Sequence, residues 1–253
     1  MRVKVLGCSG GIGGSGRTTS LLVDHDILID AGTGLVDLSL PELVAIDHVF
    51  VTHSHLDHIA ALPLMIDAVA DLRDAPVTIH ATAATLETMR NHIFNWAIWP
   101  DFSEIAIRDR PVMQYRPLSV GQTLALDGRS ITALPAEHSV PAVGYQLDSG
   151  DGSLVFTGDT TVNELFWPIV NRIANLRYLL IETAFCNRDE ALARVSKHLC
   201  PHLLRAELDR LALPAQVFVA HLKPGQADTI VNEIGAGVGV RPELLRDGHV
   251  FEF

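Results

Sequence analysis

The segment Thr52-His53-Ser54-His55-Leu56-Asp57-His58 follows directly on the apolar run from His48 to Thr52, which has the length and composition of a buried strand. Three imidazoles and one carboxylate in such a short stretch would repel or desolvate one another in an ordinary core. The same side chains are ligands that suit zinc and similar divalent ions, and such a site needs no cysteine. The segment therefore predicts a metal site at the end of this strand.

One segment supplies too few ligands for a complete site, so other parts of the chain must contribute. Suitable side chains follow three other apolar runs, and each of them alone could be an ordinary loop or strand-end residue. They are His138 after Ile131–Leu134, Asp159 after Leu154–Thr157 and His221 after Val217–Ala220. Several strands that all end in a metal-binding side chain predict a site at one sheet edge.

Composition limits the class of protein. The chain has 253 residues, of which 48% are hydrophobic and 19% charged, so it can bury a large core and is neither fibrous nor disordered. We expect a single domain spanning residues 1–253. Nineteen lysines and arginines against 30 acidic residues give a net charge of −11, which argues against a nucleic-acid backbone or an anionic membrane as the main partner.

Cysteine usage predicts the compartment. Cys8, Cys186 and Cys200 form neither a metal-ligand spacing nor an even disulfide set, which indicates a reducing environment. No apolar stretch of sufficient length precedes Cys8 to act as a signal. The longest apolar stretch, Ile59–Leu72, is interrupted by a proline and two aspartates and is too short to span a membrane. We therefore expect a soluble, cytoplasmic protein.

Periodicity predicts a mixed α/β chain. Short apolar runs bounded by turn residues predict strands at Val3–Leu6, Ser20–Val23, Ile27–Ile29, His48–Thr52, Val77–His80, Ile131–Leu134, Gly144–Leu147, Leu154–Thr157, Tyr178–Ile181 and Val217–Ala220. Helical spacing predicts helices at Ile59–Leu72, Ala84–Asn95, Glu164–Ala174, Asp189–Val195 and Pro201–Leu211. The strands cluster toward both ends of the chain, which favours two sheets covered by helices over a doubly wound sheet.

Residues 10–18, Gly-Gly-Ile-Gly-Gly-Ser-Gly-Arg-Thr, approach the spacing of a phosphate-binding loop, with Arg17 where lysine is required. Such a loop must open a helix whose amides hold phosphate, whereas these glycines lead into predicted strands. We interpret the segment as a loop between strands. It stays open whether its amides or Arg17 approach an anionic substrate at the metal site.

The His53–His58 segment, together with Ile29–Gly32 and Thr157–Thr160, resembles the metallo-β-lactamase superfamily, and the resemblance spans nearly the whole chain. It implies an α/β (α+β) fold, a four-layer αββα sandwich with a two-metal site at one edge. It also implies that one ion is held by His53, His55 and His138, that the other is held by Asp57, His58 and His221, and that Asp159 bridges both. Asp30 is expected to orient a ligand. The implied cofactors are two divalent ions, with zinc expected and manganese or iron as alternatives.

Within that superfamily, Ser196-Lys197-His198-Leu199 and His221-Leu222-Lys223-Pro224 look like segments of the class II cyclic-nucleotide phosphodiesterases. The similarity implies hydrolysis of a 3′,5′-cyclic nucleotide, with cAMP expected, to the 5′-monophosphate by a hydroxide shared between two metals. Asp57 is expected to orient the nucleophile. His198, near a predicted helix N-terminus, is expected to protonate the leaving ribose oxygen. Ala61 departs from the family, which commonly has glycine there.

Candidate substrate contacts lie outside the metal motif. The segment from His92 to Pro100 holds two of the three tryptophans and could form a wall on which a base stacks, although core packing or a dimer contact is the simpler explanation. The substrate-binding candidates are Arg17, His92, Asn95 and Trp96.

Other functions fit the same ligands. A ribonuclease Z-like or other phosphodiesterase, or a thioester or lactone hydrolase of the superfamily, would use them as well. A non-enzymatic metal-dependent module would not need Asp57, Asp159 and His198 together. The net charge favours a small cyclic nucleotide over a long nucleic acid as the partner. The sequence is also compatible with a homodimer.

Overall fold

Two seven-stranded sheets form the centre of the computed structural model, in which residues 1–236 and 241–253 are described. The described strands are β1 (Arg2–Gly7), β2 (Ser20–Val23), β3 (Ile27–Ile29), β4 (His48–Phe50), β5 (Val77–Ala81), β6 (Ala106–Ile107), β7 (Arg110–Pro111), β8 (Met113–Pro117), β9 (Thr123–Leu126), β10 (Arg129–Pro135), β11 (Val143–Asp148), β12 (Ser153–Phe156), β13 (Leu176–Glu182), β14 (Gln216–Ala220), β15 (Glu243–Leu244) and β16 (Val250–Glu252).

The first sheet has the strand order β16-β1-β2-β3-β4-β5-β8 and the second has the order β15-β14-β13-β12-β11-β10-β9. Part of each sheet is parallel. The parallel strands are β3, β4, β5 and β8 in the first sheet and β12 to β15 in the second. Strands β6 and β7 form a separate hairpin. The parallel strands are apolar along most of their length because they are covered on both faces.

Helices cover the outer face of each sheet. They are α1 (Leu40–Val44), α2 (Leu56–Ile59), α3 (Leu62–Val69), α4 (Ala83–His92), α5 (Trp167–Val170), α6 (Glu190–Ser196), α7 (Pro201–Leu208) and α8 (Ala227–Gly235), with 3-10 turns at Thr33–Asp37 and Asn187–Asp189. Among the described residues, no helix combines the length and the hydrophobicity that crossing a membrane requires.

Three apolar clusters separate the four layers. One lies between the first sheet and its helices and includes Met89 of α4. Another lies between the second sheet and its helices and includes Trp167 of α5. The third lies between the sheets, where Tyr145 is buried and donates a hydrogen bond of 2.8 Å to the Val51 carbonyl. This layering confirms the predicted αββα sandwich.

Most predicted elements are present. Each predicted strand coincides with an observed one, within two residues at its ends. The predicted helix Ile59–Leu72 is observed as the shorter α3 (Leu62–Val69), and Ile59 ends the separate helix α2, because Pro63 lacks an amide hydrogen and occupies the first turn of a new helix. The predicted helix Glu164–Ala174 is shorter, since only Trp167–Val170 is α-helical. Helix α8 and the outer strands β9, β15 and β16 were not predicted.

The fold brings polar strand ends from both sheets together. His53 follows β4 of the first sheet, whereas His138, Asp159 and His221 follow β10, β12 and β14 of the second. These residues converge in space. The expectation of a site at the edge of one sheet was wrong in this respect, because the edge is shared by two sheets and local sequence patterns do not encode how sheets stack.

Candidate metal centre

The histidine-rich segment changes conformation along its length. His53 continues the extended chain beyond β4 and is fully buried. His55 is extended and occupies the N-cap position of α2. Asp57 and His58 lie in the single turn of that helix. The change from strand to helix spreads four side chains around one point, so a single short segment serves two adjacent clusters.

The predicted ligands form two groups that share Asp159. In each group, one nitrogen or oxygen atom per residue lies within 4.8 Å of those of the other members. The groups are His53, His55, His138 and Asp159, and Asp57, His58, Asp159 and His221. This division matches the two ligand sets that the resemblance implies.

The first group contains nitrogens that face one another. His55 Nδ1 lies 3.1 Å from His53 Nε2 and 3.1 Å from His138 Nε2. Burial, followed by the charges of neighbouring histidines, lowers the pKa of His53 and His55. Both rings therefore stay neutral near pH 7, with lone pairs available to a cation, and this chemistry fits a divalent ion.

The second group also fits an ion. His58 Nε2 is buried without a hydrogen-bond partner and lies 3.3 Å from Asp159 Oδ1. His221 Nε2 lies 3.2 Å from Asp57 Oδ2 and 3.3 Å from Asp159 Oδ2. Although burial opposes ionisation, the charges of His221 and His58 hold the pKa of Asp159 well below its usual range, so this carboxylate stays ionised. An orphaned imidazole nitrogen beside two carboxylates is a suitable donor set for a divalent cation.

Residues behind the ligands fix their ring orientations. Asp30 is completely buried and accepts hydrogen bonds from the Thr52 amide at 2.7 Å, from Thr52 Oγ1 at 2.8 Å and from His58 Nδ1 at 2.7 Å. His138 Nδ1 donates to the Lys197 carbonyl at 3.0 Å. Because Nδ1 is occupied in both rings, Nε2 is left to face the centre. Asp30 thus lies where the sequence analysis expected it.

His198 lies beside both groups and has a partner that sequence reasoning missed. Its Nδ1 is 2.7 Å from Glu182 Oε1, and its ring stacks on His221 at 5.3 Å between centroids. Burial opposes protonation, but the charge of Glu182 and this hydrogen bond raise the pKa of His198. Glu182 is the last residue of β13, so the rule that identified Asp159, an acid directly after an apolar run, would have identified it too.

The predicted substrate-binding residues Arg17, His92, Asn95 and Trp96 do not belong to either ligand group. Helix α4 of ten residues is about 15 Å long and places His92 at the end away from His138. Asn95 Oδ1 accepts from the amides of residues 97 and 98, and Trp96 is 61% exposed with its indole nitrogen donating to Glu104. Arg17 forms a bidentate pair with Asp37.

The glycine-rich loop leads into β2 rather than a helix, as expected, and lies against the second group. A β-carbon on Gly10 would lie 2.3 Å from the His221 carbonyl oxygen and 2.9 Å from its Nδ1. Lys223 Nζ donates to the Gly10 carbonyl at 2.6 Å. The loop therefore packs closely against His221, a candidate metal ligand.

Comparison with known proteins agrees with this geometry. Residues 25–240 match the family described as "Beta-lactamase superfamily domain". The chain belongs to the metallo-β-lactamase superfamily. A "Probable 3′,5′-cyclic-nucleotide phosphodiesterase" of Yersinia pestis is 25% identical, over 99% of this chain and 89% of that protein. A "Ribonuclease Z" of Haloarcula marismortui is 31% identical, over 66% of this chain and 54% of that protein.

A crystal structure of unliganded yeast PDE1 has the same fold, with a TM-score of 0.80 and 19% identity over 98% of each chain. Superfamily membership and the two ligand groups identify this protein as a metal-dependent hydrolase. The predicted superfamily and class of enzyme are thereby confirmed.

Proposed function

We propose that this hydrolase is a phosphodiesterase that converts a 3′,5′-cyclic nucleotide, with cAMP as the preferred substrate, to the 5′-monophosphate. The observation that carries the proposal is the pair of ligand groups joined through Asp159. The Yersinia pestis relative, similar along 99% of this chain, supports a cyclic nucleotide as the substrate.

Zinc is the proposed metal at both groups because five of the seven candidate ligands are imidazoles. One ion would be held by His53, His55 and His138, and the other by Asp57, His58 and His221, with Asp159 shared. When bound, two divalent ions supply a nucleophile at neutral pH and neutralise charge on a phosphate under attack.

Asp57 is the proposed orienting residue for the attacking group. Its side chain is 25% exposed, whereas that of Asp159 is 2% exposed, so Asp57 is the more accessible carboxylate of the second group. Burial opposes ionisation, but the hydrogen bond with His221 and the charge of His58 hold the pKa of Asp57 below its usual range. An ionised carboxylate at this position accepts a hydrogen bond from the nucleophile and aligns it with the phosphorus.

His198 is the proposed donor of the proton that the leaving ribose 3′ oxygen requires. Glu182 occupies Nδ1 and raises the pKa of the ring, so the proton on Nε2 is the one available to the substrate. The imidazole then becomes neutral and is held in place by Glu182. This arrangement assigns metal binding and proton transfer to different histidines.

Cleavage of RNA is the second candidate, since the similarity to the Haloarcula marismortui protein supports it. We favour the small substrate because a chain with a net charge of −11 lacks the excess of cations that a polyanion requires.

The three cysteines are unpaired, which supports a proposed cytoplasmic location. Whether two copies associate can be measured by light scattering on the same preparations.

The decisive experiment measures turnover by protein of known metal content on a panel of cAMP, cGMP, 2′,3′-cyclic AMP, bis(p-nitrophenyl) phosphate and a precursor tRNA. We expect the highest kcat/KM for cAMP and loss of activity on chelation. Asp159→Asn should lose metal and turnover, whereas Asp67→Asn, on the exposed face of α3, should lose neither. Metal-replete protein that leaves every phosphodiester intact would refute the proposal, and preferential cleavage of tRNA would replace it with the second candidate.

A further inference from the structure

A cleft of about 490 Å³ opens beside the first ligand group. Its walls are Thr82 and Ala84 at the start of α4, the loop of residues 136–142, and Lys197. The volume lies within the range of small-molecule sites. His138 lines the same cleft, although its imidazole is buried and faces the metal centre, so the cleft adjoins that centre from the outside.

Two opposite charges lie on the wall of this cleft in direct contact. Among the described residues that line it, Lys197 carries the one ammonium group and Glu137 the one carboxylate, and the two groups form an ion pair. Their side chains are 40% and 52% exposed. An exposed pair of this kind contributes little to folding because water screens it. An incoming anion can therefore displace Glu137 from the ammonium at small cost.

The backbone of Lys197 is held in a conformation that disfavours a side chain. The residue ends α6 with φ 56° and ψ 51°, a left-handed conformation in which glycine or asparagine is less strained. Its carbonyl accepts the hydrogen bond from His138 Nδ1. Strain at a position that anchors a metal ligand is an observation from which a functional side chain can be inferred.

We propose that Lys197 binds an anionic oxygen of the phosphodiester substrate and that Glu137 occupies the ammonium until the substrate displaces it. This inference rests on the proposed function and adds to it a charge contact supplied by the protein. It assigns the cleft to a substrate whose negative charge lies close to His138. Glu137 then acts as an internal competitor, which weakens the binding of anions and leaves neutral molecules unaffected.

The test uses two substitutions whose effects have opposite signs. Lys197→Asn removes the ammonium and keeps a residue that tolerates the left-handed backbone, so the His138 contact survives. We expect KM for cAMP to rise roughly tenfold, the loss of one charge-assisted hydrogen bond, with kcat and metal content unchanged. Glu137→Gln frees the ammonium and should lower KM about threefold. The double variant should behave like Lys197→Asn, and Lys197→Arg should restore KM.

Ionic strength gives an independent readout. The KM of the wild type should rise more steeply between 20 and 500 mM salt than the KM of Lys197→Asn, because salt screens the lysine contact in the wild type and only the attraction to the metal centre in the variant. Two results would overturn the inference: a change of KM in the same direction in both single variants, which marks a merely structural ion pair, or loss of metal from Lys197→Asn. A wild type without phosphodiesterase activity would refute the proposed function instead, so the two failures are distinguishable.

Discussion

Replacing Asp30 by asparagine should weaken metal binding at the group of Asp57, His58 and His221 without unfolding the protein. Asp30 accepts three hydrogen bonds of 2.7 to 2.8 Å, one of them from His58 Nδ1. An asparagine can keep the bond from the Thr52 amide, but its NH2 group then faces His58 Nδ1. A ring that binds an ion through Nε2 keeps its hydrogen on Nδ1, and in the variant that hydrogen has no acceptor.

The magnitude follows from the loss of that hydrogen bond. Loss of a carboxylate behind a histidine ligand typically costs about ten- to a hundredfold in metal affinity. That range corresponds to about 1.4 to 2.7 kcal/mol.

Zinc titration by isothermal calorimetry, with circular dichroism on the same samples, measures the effect. Asp26→Asn is the matched control: it removes the same charge from a carboxylate that pairs with Arg129 and not with any candidate ligand. We expect weaker zinc binding in Asp30→Asn alone, with one of two equivalents affected more strongly. Equal zinc affinities in the wild type and Asp30→Asn would refute the orienting role.

Three further outcomes are expected. His198→Ala should lower kcat by about 10²- to 10⁴-fold with metal content intact, as measured by turnover and elemental analysis, and loss of both would make it a metal ligand. Gly10→Ala should lower zinc affinity about tenfold because its β-carbon would displace His221, and an unchanged titration would contradict this contact. Hydrogen bonds from Arg129 lower the pKa of Asp26, so this pair stabilises the fold above about pH 4 and its contribution is lost as the pH falls. Urea unfolding of chelated protein should show Asp26→Asn less stable than wild type by on the order of 1 kcal/mol at pH 7 and by progressively less as the pH falls below about 4; a difference that does not change with pH would exclude the ion pair as its cause.

Local sequence patterns predicted the strands and the functional residues at their ends, because both depend on residues that are close together in the chain. The apolar runs predict the strands because a buried strand must be apolar on both faces, and the layered fold follows from their order along the chain. Asp159 was found because an acid directly after a buried strand is unusual. Glu182 follows the apolar run Tyr178–Ile181 in the same way, so the same pattern also predicts a functional side chain there.

Contacts between distant parts of the chain could not be predicted from such patterns. Nothing near Lys197 in sequence indicates that its carbonyl meets His138, because α6 and the loop after β10 come together only through the packing of the second sheet. Likewise, the aromatic segment around Trp96 is typical of a surface on which a base stacks, yet it follows the end of α4 that is distant from the cleft. Helix α8 shows apolar spacing at Ile230 and Ile234, but its short pattern did not stand out from the surrounding loop.

The shared edge between the two sheets has a consequence for how the protein matures during synthesis. Each ligand group combines side chains from the segment before residue 60 with side chains from β10 onward. A chain emerging from the ribosome therefore carries only fragments of either group until the second sheet has formed, and the second group is incomplete until His221 has been added. Because chains are synthesised at about 5 to 20 residues per second, some eight to thirty seconds separate the first histidines from the last. Completion of both candidate groups is thus one of the last events in the synthesis of the molecule, and it brings an early segment of the chain together with a late one.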